Sequence, residues 1–171
     1  MGKTLIFNGK VITPYRIINN GSVLVEDGKI VQIGEGRLPI FECMAIDAKG
    51  LYVSPGFIDI HTHGGGGHDF MDCTVEAYLG AAREHAKHGT TALVPTTVTS
   101  TKESLKETFE IYRKAKAVKN KGAVFLGLHL EGPYFSMEQR GAQDPRYIKN
   151  PEKEEYEEIL SWSDDVVRWS A

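Results

Sequence analysis

Cysteine is scarce in this sequence, and its placement carries no pattern. Only Cys43 and Cys73 occur among 171 residues, with no Cys-x-x-Cys spacing; that argues against a disulfide scaffold and fits a reducing cytosol. Long apolar runs are missing too. None approaches the ~20 residues a membrane helix needs, and residues 1–10 lack the apolar core of a signal peptide. Positive charge is not in excess: Lys and Arg total 20 against 23 Asp and Glu, a net charge of −3 with pI near 6.1. Neither nucleic acid nor an anionic membrane is therefore an expected partner. A dinucleotide fingerprint is absent as well, because the glycines at 64–67 are wrongly spaced for Gly-x-Gly-x-x-Gly. What these absences leave is a soluble protein, expected in the cytoplasm.

Hydrophobic residues make up 41% and charged residues 25%, which are globular values. The length suffices for one ordinary domain with a real core. Residues 4–53 read as short strands. Thr4-Leu5-Ile6-Phe7 and Lys10-Val11-Ile12-Thr13 flank Asn8-Gly9, and residues 22–26 and 29–33 flank Asp27-Gly28. Both dipeptides favour positive φ at the turn positions and predict hairpins. Ala45-Ile46-Asp47 and Leu51-Tyr52-Val53 add two strands around Lys49-Gly50. Residues 1–52 are thus expected to form a small antiparallel β-module.

From residue 53 the rhythm becomes strand then helix. Residues 53–60 are mostly apolar and predict a buried strand. Residues 74–88 carry Val75, Tyr78, Leu79, Ala82 and Ala86 at helical spacing, with Asp72 or Thr74 as cap and Gly89 just past the end. A strand over 90–97 follows. Ser100 with Glu103 makes a capping-box pattern that opens a helix to about Val118. Residues 123–130 predict one further apolar strand. Asn150 and Pro151 then start an acidic helix to about Trp162, and Asp165-Val166-Val167-Arg168 begins a fourth strand. Such alternation implies parallel β/α units, in an open doubly-wound sheet or in part of a (β/α)8 barrel. A complete barrel needs ~200 residues or more, so residues 53–171 hold only its first three to four units.

The chemistry gathers at Pro55-Gly56-Phe57-Ile58-Asp59-Ile60-His61-Thr62-His63-Gly64. Alternate strand residues share a face, so His61 and His63 point the same way at the end of an apolar strand. Two imidazoles there make half of a site for zinc, iron, nickel or cobalt, and a metal usually wants at least three protein ligands. The third is expected from Glu131, a carboxylate ending the strand Leu128-His129-Leu130-Glu131 before Gly132-Pro133. Barrel active sites are built at that end of the strands. His129 lies on the same face, two residues back, and reads either as a support behind the metal ligands or as core, with core favoured.

These motifs amount to a resemblance. Residues 53–64 resemble the first-strand signature of the amidohydrolase superfamily of metal-dependent hydrolases. His129-Leu130-Glu131-Gly132-Pro133-Tyr134, Arg140-Gly141-Ala142-Gln143 and His68-Asp69-Phe70-Met71-Asp72 are similar to its N-acetylglucosamine-6-phosphate deacetylase family. The likeness covers the whole chain. It implies an α/β fold, a partial (β/α)8 TIM-type barrel preceded by a small antiparallel β-sandwich module. It also implies hydrolysis of N-acetyl-D-glucosamine 6-phosphate to D-glucosamine 6-phosphate and acetate, in amino-sugar catabolism. His61, His63 and Glu131 would hold one or two divalent cations (zinc, iron, nickel, cobalt or manganese) per subunit. Ala142 and Gln143 would contact the phosphorylated sugar, partly through backbone groups, in an enzyme expected to be a homodimer. The family's later histidine ligands and its acid–base aspartate come from later barrel strands, so no catalytic residue is assigned here and this chain alone is expected to be inactive or nearly so. Two alternatives stand beside this reading. One is an amidohydrolase acting on cyclic amides, disfavoured by Glu131-Gly132-Pro133 because such sites more often bridge their metals with a modified lysine. The other is a non-catalytic remnant serving as a binding or assembly module.

Other polar features have plainer readings. His68, His85 and His88 are expected as ordinary surface or loop histidines. The lysines at 114, 116, 119 and 121 complement the C-terminal end of a helix dipole, and the glutamates of 152–158 its N-terminal end. Arg140 is a candidate for holding a phosphate.

Overall fold

The computed structural model describes residues 2–171, which divide into two compact units at the Pro55/Gly56 junction. In the first unit, β1 (Lys3–Ile12), β2 (Ile17–Glu26), β3 (Lys29–Glu35), β4 (Met44–Asp47) and β5 (Tyr52–Val53) form one five-stranded sheet. Its order is β3-β2-β1-β4, with β5 also on β1. The Asp27-Gly28 hairpin forms as expected, with φ of 51° and 78°. Asn8-Gly9 does not turn the chain. It lies inside β1 as an irregularity, Asn8 at φ 56°, with the pairing to β2 shifting between Ile6 and Gly9.

The physical reason is close approach. A Cβ on Gly9 would meet Val53 Cγ2 at 2.6 Å, Asn8 Nδ2 donates to Asp47 Oδ1 at 2.8 Å, and Gly50 N donates to Asn8 O at 2.7 Å. The dipeptide therefore lets the segment after β4 dock on β1, as a bulge. In consequence β4 and β5 both run parallel to β1. The expected antiparallel module is corrected to a mixed sheet, with two parallel pairs beside the antiparallel ones.

The second unit alternates strands and helices: β6 (Phe57–Thr62), the short hairpin β7 (Gly64–Gly65) and β8 (His68–Asp69), α1 (Val75–Lys87), β9 (Thr90–Pro95), α2 (Lys102–Ala117), β10 (Val124–Phe125), β11 (Leu128–Glu131), α3 (Lys153–Ser161) and β12 (Val166–Ser170). Parallel pairs join β6 to β9, β9 to β10 and β11 to β12, and a parallel bridge from Thr96 to His129 links the two groups. This is the β/α alternation the sequence implied.

Two predicted strands break in two. Residues 53–60 split at Ser54-Pro55-Gly56, with Val53 paired to Val11 in the first unit. Nor is β6 buried: Phe57, Ile58 and Ile60 are 69%, 63% and 55% exposed, because β6 ends the order β10-β9-β6 and has a strand neighbour on one side only. Residues 123–130 split at Leu126-Gly127, where the chain changes partner. Leu126 N donates to Leu93 O on β9, the partner strand of β10, whereas Leu128 N donates to Asp165 O. A side chain at Gly127 would collide with Val167 and Asp165.

Helix starts differ by one or two residues. Thr101, not Ser100, caps α2, its Oγ1 accepting from Ser104 N at 3.1 Å. The third helix begins at Lys153 after a Glu152 cap that makes no side-chain bond, so Pro151 lies outside it. Thr74 caps α1 through Ala77 N at 3.1 Å. The core packs the helices on the sheet through Phe70, Tyr78, Leu93, Phe109, Tyr112, Phe125, Leu128, Leu130 and Ile159.

Two expectations about stability follow from this core. The buried hydroxyls of Tyr78 and Tyr112 have no protein partner, and a buried unpaired group costs about 1–3 kcal/mol. Tyr78→Phe and Tyr112→Phe should leave the thermal midpoint unchanged or raise it. A Cβ at Gly122 would meet the α1 backbone at Ala82 C at 2.5 Å. Gly122→Ala should therefore destabilise by about 1–3 kcal/mol, lowering the midpoint by roughly 2–12 °C in a scanning calorimeter.

Candidate metal centre

The strands β6 and β11 are parallel and end at the same level, with the end of β9 between them. Two consecutive threonines set that level. Thr96 N donates to Thr62 O at 2.9 Å and Thr97 N to His129 O at 3.0 Å. Their hydroxyls accept from the same two strands, Thr96 Oγ1 from Thr62 N at 3.1 Å and Thr97 Oγ1 from Glu131 N at 3.2 Å.

The result is convergence of the three predicted ligands. His61 Nε2 lies 3.4 Å and His63 Nε2 3.1 Å from Glu131 Oε2, and one donor atom of each residue falls within 4.8 Å of the others. An ion with four tetrahedral bonds of ~2.0–2.1 Å separates its donors by about 3.3–3.4 Å. Glu131 Oε2 is buried without a hydrogen-bond partner, a costly state for a carboxylate oxygen unless a cation meets it. Two imidazole nitrogens and one carboxylate oxygen suit borderline divalent metals and leave room for another ligand. The donor set fits a divalent cation.

Behind the ligands His129 is fully buried. Its Nε2 lies 2.8 Å from Ser170 Oγ and its Nδ1 3.1 Å from Thr96 Oγ1. Burial, then the charges of Arg168 and His61, bring its pKa down to about 4, so the ring is neutral at physiological pH. It is core, as its position implied, but core that touches the site.

His85 departs from its expected surface role. Its Nε2 lies 3.0 Å from Gly64 O and 3.2 Å from Thr62 Oγ1, tying α1 to the glycine loop. The signal was there: Tyr78, Ala81, Ala82 and His85 share one helical face. His68 packs its ring against Gly80, whereas His88 pairs with Glu84 on the exposed side of α1.

Ala142 and Gln143 border an open cleft of about 400 Å³ with His63, Val98, Thr99 and Asp144. Gln143 Oε1 accepts from Thr99 N at 2.8 Å, and Arg140 Nη1 donates to Gln143 O at 2.8 Å. Arg140 thus braces the loop. Asp144 is held by Arg146 at 2.6 Å, which lowers its pKa to about 2, and Asp165 by Lys116 at 2.6 Å. Neither is placed as an acid or base of the cluster.

The sequence matches the Amidohydrolase family over residues 52–170. It is 33% identical over 150 residues to an N-acetylglucosamine-6-phosphate deacetylase of Bacillus subtilis, covering 85% of this chain and 38% of that protein. The fold superposes on the Mycobacterium smegmatis N-acetyl-D-glucosamine-6-phosphate deacetylase D267A mutant, solved in complex with N-acetyl-D-glucosamine-6-phosphate, with a TM-score of 0.84 at 28% identity over 99% of this chain and 43% of that one. For the Pasteurella multocida N-acetylglucosamine-6-phosphate deacetylase the TM-score is 0.85 at 27% identity, over 98% and 44%. The chain thus spans about two fifths of the length of these relatives. With His61, His63 and Glu131 all inside the matched region, the chain belongs to the amidohydrolase family.

Proposed function

We propose that this chain serves the hydrolysis of N-acetyl-D-glucosamine 6-phosphate to D-glucosamine 6-phosphate and acetate, as part of a metal-dependent deacetylase with a partial TIM-type barrel. The observation that carries this reading is the unpartnered Glu131 Oε2 lying between two imidazole Nε2 atoms. A divalent cation held there supplies Lewis acidity, polarising an acetyl carbonyl and lowering the pKa of a water. His61 and His63 offer neutral nitrogen lone pairs, and Glu131 offsets the cation's charge. The Ala142-Gln143 loop, on the cleft beside His63, orients the sugar through backbone groups. The relatives above are named for an exocyclic acetamide, which favours that substrate over a cyclic amide. No described helix is long and apolar enough to cross a membrane; we place the protein in the cytoplasm, as a homodimer acting in amino-sugar breakdown.

Cation binding is the first test. At zinc or cobalt one hundred times its Kd, linkage adds about 2.7 kcal/mol, expected to raise the thermal midpoint by roughly 5–10 °C. His61→Ala, His63→Ala and Glu131→Ala should each abolish the rise, and an equal rise in all three would exclude the site.

Substrate is the second. In a polypeptide extended to the relatives' length, acetate release from N-acetylglucosamine 6-phosphate should exceed ring opening of dihydroorotate. Glu131→Ala should lower kcat/KM for acetate release by about 100-fold or more, since loss of an outer-sphere partner already costs 10–100-fold. The 171-residue chain should release far less acetate, because Asp144, on the cleft beside His63, is tied to Arg146 and Asp59 accepts the His61 backbone N–H, so neither is placed to protonate a leaving amine. Preferential ring opening would overturn the substrate assignment while leaving the metal site intact.

A further inference from the structure

Metal-binding histidines usually have their second ring nitrogen held by a carboxylate, a carbonyl or water, which fixes the ring's direction. Neither candidate ligand shows this here. His63 Nδ1 is buried without a partner. The backbone N–H of His61 donates to Asp59 Oδ1 at 3.0 Å while, among the described residues, the His61 ring meets no polar partner except Glu131. The ring is 40% exposed and is placed by neighbouring rings, with His63 at 5.3 Å and His129 at 4.7 Å between centroids. The His129 contact is edge-to-face, at 85°. His129 in turn cannot swing, because Ser170 Oγ and Thr96 Oγ1 take its two nitrogens on opposite sides of the ring.

Resting on the metal reading above, we propose that His129 is a positioning residue for His61. Its ring is a wall that aims His61 Nε2 at the point shared with Glu131 Oε2, and Thr96 and Ser170 hold that wall upright. The anchors come from the ends of β9 and β12, and the wall and Glu131 stand two residues apart on β11. One rigid unit therefore sets both the carboxylate and the direction of the imidazole across from it. A His129 that merely filled space would matter for stability and leave cation affinity alone.

Cobalt(II) titration of the 171-residue chain, followed by visible absorption and by calorimetry, separates the two roles. His129→Asn keeps a polar group near Thr96 and removes the wall; it should weaken cobalt binding by about 10–100-fold and change the absorption band. Ser170→Ala, which removes one anchor, should weaken binding less, in the same direction. Phe109→Leu, in the helix–sheet core, should lower the thermal midpoint without changing the cobalt Kd. Unchanged cobalt affinity in both His129→Asn and Ser170→Ala would overturn the positioning role. If circular dichroism shows that His129→Asn does not fold, Ser170→Ala decides alone. A native chain that takes up no cobalt, or a His61→Ala variant that binds as tightly as the native chain, would instead overturn the metal reading and this inference with it.

Discussion

The parallel register at the end of β9 is the constraint on which the site depends. His61 and His63 lie far from Glu131 in sequence, at the ends of strands that do not pair with each other directly. Thr96 and Thr97 bring them level, each donating a backbone N–H to one flanking strand and receiving one at its hydroxyl. A one-residue slip of β6 would turn the imidazoles to the helix side of the sheet, since side chains alternate. The hydroxyls make that slip costly, because it would strand buried polar groups without partners. Specificity of register here is worth more than the modest net stability of each bond.

The same polar layer explains why a buried histidine is tolerated among apolar side chains. Thr62 N, Thr96 Oγ1, His129 and Ser170 Oγ form a chain of contacts across four strands. A buried polar network that is fully satisfied rigidifies its surroundings; a partly satisfied one is a liability. Here both ring nitrogens of His129 are used, and unsatisfied atoms fall further out, on Glu131 Oε2, His63 Nδ1 and Thr99 Oγ1. Of these, Glu131 Oε2 is the one that a cation between the imidazoles would relieve.

Much of this was legible in the residues themselves. The period-2 spacing of His61 and His63, with a carboxylate ending a later apolar strand, pointed to one site because parallel strands share their ends. Alternating strand and helix signals gave the architecture of the second unit. Where the reading failed, a tertiary contact had overridden a local preference. Asn8-Gly9 has hairpin chemistry, yet positive φ at Asn8 and a missing Cβ at Gly9 serve equally to let another strand dock. Gly127 fell inside one expected strand and is the point where the backbone changes partner. Ser170 carried no signal at all, since a serine near a strand end acquires its role only from what lies across the sheet.

Holding a cation and using it are different demands. Coordination at the proposed site would need the three donors and their supports, which lie on or just past the ends of β6, β9, β11 and β12. Acceleration of amide hydrolysis needs more, because fixed charges and dipoles act strongly only where water is excluded. The two imidazoles are each 40% exposed, and the apolar residues Val124, Leu126 and Val167 are 60%, 47% and 57% exposed. In so wet a setting the polarising field of a cation bound at the proposed site would be screened. The donor geometry of that site is present in these strands; strong electrostatic catalysis would further need the exposed imidazoles to be shielded from water.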